Sequence, residues 1–182
     1  MIKRLRAEHC VGIVVDVQEF FLRRLAKPLR ERIETGTAHF ANLLGRLHIP
    51  VLATVERPIA EKGKLPKAIK ATRCLEKDFF DLAREPEIQA YLNGLERRQA
   101  IVTGGETDVC VLQSCLGLLE LGLEVFAVED LLFSSSRDAS AAAARMSAAG
   151  VTFLTYKTLF HELLEVHEKG RNRIRVAVPD EL

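Results

Sequence analysis

A three-layer α/β fold, with helices on both sides of a six-stranded and mainly parallel sheet, is what this sequence predicts. Three observations carry that expectation. Short, continuous apolar runs bounded by turn residues recur along the chain, as in strands buried on both faces. Segments with helical spacing alternate with these runs, which supplies the crossovers that parallel strands need. At 182 residues, 48% of them hydrophobic, the chain is long enough to bury a substantial core as one domain spanning residues 1–182.

The elements run in order along the chain. Val11–Asp16 is an apolar run that ends in a carboxylate, the first strand. Phe20 to Leu47 has helical spacing, with a break or first-turn proline at Pro28 and a stop near His48-Ile-Pro50. Val51 to Val55 is the second strand, and the polar stretch from Glu56 to Lys70 reads as a loop with room for a short helix. Cys74 to Glu76 is a weak third strand, Pro86 to Leu95 a helix, and Ala100 to Thr103 the fourth strand. Val109 to Leu121 is a helix closed by Gly122, and Leu123 to Val128 the fifth strand. Ser136 to Ala149 reads as an alanine-rich helix with a serine cap at its start and Gly150 at its end. Val151 to Thr155 is the sixth strand and Thr158 to Lys169 the last helix, followed by a C-terminal tail, residues 170–182, with Arg171, Arg173 and Arg175.

Composition excludes several classes. A formal charge of +1 gives no general attraction to polyanions, and the tail lacks interleaved aromatics, so no nucleic-acid partner is expected. No apolar run approaches the ~20 residues of a membrane-spanning helix, and the basic N-terminus has no signal-peptide core. The expected location is cytoplasmic. Cysteines 10, 74, 110 and 115 show no metal-type spacing with one another or with histidines 9, 39, 48, 161 and 167, so reduced thiols are expected.

The segment Val102-Thr-Gly-Gly-Glu-Thr-Asp-Val-Cys-Val111 carries the chemistry. Gly104 and Gly105 permit an awkward turn after a strand, Thr107 or Asp108 is placed to cap the next helix, and Cys110 falls in that helix's first turn. The helix dipole would there lower the thiol pKa, and free N–H groups would hold an oxyanion. Cysteine is also a common core residue, so the residues alone leave Cys110 open as nucleophile or as buried structural thiol. Asp16 at the end of strand one and Lys77 beside strand three are positioned to face it across the crevice that chain reversal opens at the strands' carboxyl ends.

Val15-Asp16-Val-Gln18 with Phe20 or Phe21, Glu76-Lys77-Asp-Phe79, Gly104 to Val111, Gly122-Leu-Glu-Val, Glu129-Asp130 and Ser134 to Ser136 together resemble the isochorismatase-like cysteine hydrolases, over about residues 10 to 166. The resemblance implies strand order 3-2-1-4-5-6 and a catalytic triad of Asp16, Lys77 and Cys110, with Lys70 a fallback for the lysine. It implies a cis Gly105–Glu106 peptide that aims the N–H groups of Glu106 and Cys110 at one carbonyl oxygen, Glu106 acting through backbone more than side chain.

Acyl transfer from an amide-like C–N bond is the implied reaction. Asp16 takes the thiol proton, Lys77 balances the negative charge, and a thioester forms and is hydrolysed. Members that cleave the isochorismate vinyl ether lack the cysteine, so Cys110 argues against that substrate. Nicotinamidase-type members carry a histidine-containing metal site after strand two; Thr54 to Gly63 has no histidine, so neither metal nor cofactor is expected. The substrate-binding candidates are Gln18, which is placed to hold the active-site loop, Phe21, Glu56 and Arg57. Arg57 is either a carboxylate-binding group or an exposed loop residue. Phe20, Phe79 and Phe80 are further candidates for the pocket wall, although aromatics flanking strands are usually core. The expected partners are a small-molecule substrate and, as in the family, further copies of the chain. The competing reading is a catalytically idle member of the fold serving as a binding or assembly module; a nucleotide-binding domain is weak because no G-x-G-x-x-G comes after strand one.

Overall fold

In the computed structural model, which describes residues 4–164, six strands form one parallel sheet. They are β1 (Cys10–Val15), β2 (Val51–Glu56), β3 (Arg73–Lys77), β4 (Gln99–Gly105), β5 (Glu124–Phe133) and β6 (Thr152–Leu154). Their order is β3-β2-β1-β4-β5-β6, and every neighbouring pair runs parallel. The arginine-bearing tail and His167 lie outside the described residues.

Strand alternation sends side chains to two apolar layers. Val11, Ile13 and Val15 pack on one face with Leu82, Ile88, Leu112, Cys115, Leu118 and Met146, contributed by the connections and helices α4 (Pro86–Gly94), α5 (Leu112–Glu120) and α6 (Ser140–Ala149). Cys10 and Val14 pack on the other face with α1 (Glu19–Leu22), α2 (Lys27–Arg46) and α7 (Tyr156–Leu164). The buried stripe of α2, Ile33, Thr37, Phe40, Ala41 and Leu44, has the spacing of one helical face, and Pro28 sits in its first turn, where no N–H is missed. A four-residue helix, α3 (Ile59–Lys62), interrupts the loop after β2.

Three local expectations need correction. The alanine-rich helix begins at Ser140, four residues late, and Ser136 does not cap it. The Ser136 hydroxyl instead donates to Asp108 at 2.6 Å, an ion–dipole bond stronger than an ordinary helix cap. Nor do Thr107 and Asp108 cap the turn before α5. Thr107 Oγ1 donates to the Phe133 carbonyl at 2.9 Å, and Asp108 is taken up by Ser134 and Ser136. That turn, Thr107–Val111, is π-helical, and β5 runs on to Phe133 because Leu131 and Phe133 are themselves buried.

Candidate active site

Strand register assembles the site. Lys77 lies directly opposite Glu56 on β3 and β2, and Val15, the residue before Asp16, lies opposite Gly104 on β1 and β4. Leu52, Thr54 and Glu56 share one strand face, the face of Val15. Strict alternation would send Asp16 to the other face with Val14. Its backbone enters the left-handed region at φ +46°, which aspartate tolerates better than most residues, and the carboxylate swings toward Thr54 and Lys77. Gly104 is obligatory beside it. Its φ is +114°, and a Cβ there would lie 2.8 Å from the Val15 nitrogen.

Lys77 and Asp16 have fully buried side chains and pair at 2.7 Å. The Lys77 ammonium also lies 3.6 Å from Glu56 Oε2 and donates to the Phe79 carbonyl at 3.1 Å. Thr54 Oγ1 donates to Asp16 Oδ1 at 2.8 Å. Cys110 Sγ donates to Glu56 Oε2 at 3.2 Å. One donor atom from each of Asp16, Glu56 and Cys110 falls within 4.8 Å of the others. Lys77 holds the cationic position between the two carboxylates, so a metal ion bound by them would have to sit against its ammonium.

The remaining candidates are arranged around this cluster. Gln18 is buried and spends its amide on backbone: Nε2 donates to the carbonyls of Glu56 (3.2 Å) and Gly63 (2.7 Å), and Oε1 accepts from the Glu56 N–H (2.7 Å). Phe21 is buried, 6.0 Å from Lys62 Nζ, and Lys62 pairs with Glu56. Arg57 is turned to the surface, bound to Glu76 at 2.9 Å and Asp78 at 2.5 Å. The Gly105–Glu106 and Arg57–Pro58 peptides are cis. The Glu106 carboxylate ties down the segment after β5, accepting from Ser134 Oγ, Ser135 N and Ser135 Oγ at 2.7–3.0 Å. Phe79 and Phe80 are exposed and border, with Asp108 and Val109, a surface groove of about 730 Å³ that the side chains of Asp16, Lys77 and Cys110 do not line.

The electrostatics overturn one expectation. The Cys110 thiol is pushed well above its ordinary range: burial is the main cause, the Asp16 and Glu56 carboxylates add to it, and Lys77 only partly offsets them. A helix N-terminus supplies about half a charge, which two neighbouring carboxylates outweigh. Burial also raises Asp16, against the pull of Lys77 and Thr54. Burial works to raise Glu56 too, yet hydrogen bonds from Lys62 and Cys110 and the charge of Lys77 carry it below its usual range. Lys77 moves up despite burial, because Asp16, Cys110 and Glu56 surround it. These influences favour the protonated form of the thiol and the ionised form of Glu56.

Sequence reading passed over Thr54 and Lys62. Thr54 was findable as the polar member of a buried strand, adjacent to the one ending at Asp16. Lys62 carried no signal among the charges of its loop.

A doubly wound parallel sheet with a thiol, a lysine and two carboxylates at the carboxyl ends of its central strands defines a hydrolase-type α/β protein. Residues 10–158 match the Isochorismatase domain, and the chain belongs to the isochorismatase-like hydrolase family. It is 31% identical over 169 residues to the secreted isochorismatase effector Isc1 of Phytophthora sojae, covering 88% of this chain and 79% of that protein. Its fold is similar to YcaC from Escherichia coli, described as an octameric hydrolase of unknown specificity (TM-score 0.83, 21% identity, 91% of this chain and 84% of that one). It is also similar to YcaC from Pseudomonas aeruginosa, solved with hexane-2,5-diol and covalent acrylamide (TM-score 0.81, 23% identity, 91% and 85% covered). No helix among the described residues is long and apolar enough to cross a membrane.

Proposed function

We propose that this chain is a cysteine hydrolase cleaving a C–N bond of a small amide-like molecule through a thioester, with Asp16, Lys77 and Cys110 as its triad. The observation that carries the reading is the solvent-free Lys77–Asp16 pair beside Cys110. Two fully buried charges next to a thiol are expensive to maintain for packing alone.

Burial and the two carboxylates favour the protonated thiol, so its proton leaves as the S–C bond forms, and Asp16 receives it. The carbonyl π electrons move onto oxygen, and the oxyanion is held by the backbone N–H groups of Glu106 and Cys110. Collapse breaks the C–N bond, and the leaving amine takes the proton from Asp16. Asp16 then removes a proton from water, which attacks the thioester and releases the acid while the thiol is restored. Lys77 keeps Asp16 aimed and balances each transient anion. Glu56 and Phe21 border the substrate, Gln18 positions the loop that carries Glu56, and Arg57 belongs to the rim. The chemistry uses no cofactor.

Acrylamide, both a small amide and a thiol electrophile, tests this reading. Its capture by Cys110, read by peptide mass spectrometry, should slow at least about tenfold in Asp16→Asn, and ammonia release from small primary amides should vanish in Cys110→Ala. Capture indifferent to Asp16, with no amide turned over, would favour an idle binding module. That second reading has one observation behind it: Cys110 is only 2% exposed. Self-association is part of the first reading, supported by the exposed Phe79, Phe80 and Val109 at the groove. Light scattering coupled to size-exclusion chromatography reads it, and a monomer at micromolar concentration would reject it.

A further inference from the structure

The hydrolase reading leaves the substrate unnamed, and the charges around the thiol narrow it. Among the described residues, three cations approach the site. Lys77 has no exposure and is spent on Asp16, Glu56 and the Phe79 carbonyl. Arg57, the sequence candidate for a substrate carboxylate, is neutralised at the rim by Glu76 and Asp78. Lys62 is different. Its side chain keeps 18% exposure and pairs with Glu56, whose Oε2 is the acceptor for Cys110 Sγ. One carboxylate thus separates the Lys62 ammonium from the nucleophile, with the Phe21 ring 6.0 Å away on the same side.

The balance of charge sets the demand on a ligand. With the thiol neutral, Asp16 and Glu56 are matched by Lys77 and Lys62. A neutral amide leaves the Lys62–Glu56 pair closed and has to compete with Lys62 and Cys110 for the Glu56 oxygens. An anionic group draws Lys62 away, but it then leaves Glu56 buried with an open acceptor, which is tolerated only when the same molecule returns N–H donors to it. A carboxamide N–H₂ at the scissile end does so, within reach of the thiol that Glu56 touches.

We infer that Lys62 and Glu56 form an exchangeable recognition pair that selects small primary amides carrying a carboxylate a few atoms from the scissile carbonyl, Lys62 taking the carboxylate and Glu56 the amide N–H groups. This inference rests on Cys110 being the reacting group of the proposed hydrolase, and its test reads binding without turnover.

Protection of Cys110 from acrylamide, followed by peptide mass spectrometry, compares oxamate, malonamate and succinamate with the neutral diamides oxamide, malonamide and succinamide. At least one acid should protect the parent at about tenfold lower concentration than its diamide. Lys62→Met should bring the two within about twofold, and Lys62→Arg should keep the preference. Glu56→Gln, which frees Lys62 from its competitor, should widen it; general loosening of the loop would not. Circular dichroism confirms that each variant is folded. For a Lys62→Met that fails to fold, Lys62→Met/Glu56→Gln, which strips the pair of both charges, carries the same expectation. Protection by none of the acids, equal protection by acids and diamides, or a preference that survives loss of the lysine overturns the inference. Selective protection by an acid that is never hydrolysed would keep this inference and defeat the hydrolase reading.

Discussion

Lys77 has no contact with solvent, so its ammonium is stable there only because Asp16 meets it at 2.7 Å. Removing one partner strands the other. Lys77→Met should lower stability by about 3–5 kcal/mol, whereas Asp16→Asn/Lys77→Met, which strands nothing, should recover most of it while remaining inactive. Urea denaturation of the singles and the double reads the cycle, and a double whose loss equals the sum of the two single losses would mean that the pair is not coupled. Thr54→Val keeps the shape and deletes one bond to Asp16, so about 1 kcal/mol of stability should go together with a clear fall in the rate of acrylamide capture. Asp16 was legible in the sequence because a carboxylate closing an apolar strand has to sit where the strand leaves the sheet, at its carboxyl end. Lys77 was legible from its place beside the third strand and from the resemblance, although a lysine after a weak strand is ordinarily solvated. The thiol's ionisation was misread because the dipole argument is local, while Glu56 and Asp16 arrive from strands 54 and 94 residues earlier in the chain.

Elements place these side chains through two features of the backbone. One is the close approach of β4 to β1 at Gly104, where an added Cβ would strike the Val15 backbone. Gly104→Ala should therefore fail to fold or give a protein with a strongly lowered melting temperature. The other is the Gln18 amide, which grips residue 56 by both backbone groups and residue 63 by its carbonyl. Gln18→Met, similar in size but without those bonds, should speed hydrogen exchange of residues 56–63 by at least about tenfold and leave α5 unchanged; uniform exchange across the chain would refute the clamp. The buried strands were plain from their apolar runs. Start points were not: the late start of α6 depends on Asp108, thirty-two residues before Ser140, drawing Ser136 into a polar cluster that no local pattern announces.

Across the whole molecule, three thiols are buried in apolar layers, and each is raised above its ordinary value of 9.0, chiefly by burial: Cys10 and Cys115 to about 12, and Cys110 also by its carboxylate neighbours. The folded chain keeps these protons where the unfolded chain gives them up. Stability from this source is intact below about pH 9 and is lost as pH rises toward the folded values, by up to about 1.4 kcal/mol per pH unit for each thiol. Urea midpoints between pH 8 and 10 should fall on this account, and Cys115→Ala should flatten the fall by one thiol's share. An unchanged slope would place the loss elsewhere. The layered architecture was readable from alternation of strands and helices because burial on both faces leaves its mark on every strand. The chemistry between the layers depends on which distant residues meet, and that is written in register rather than in any one segment.

The grip of Gln18 on residues 56 and 63 carries an evolutionary consequence. Residues 57–62 hang between two fixed posts, both tied to the strand that delivers Asp16. Lineages or protein engineers can exchange that six-residue cassette wholesale, while the strand that delivers Asp16 and the turn that holds Cys110 stay as they are.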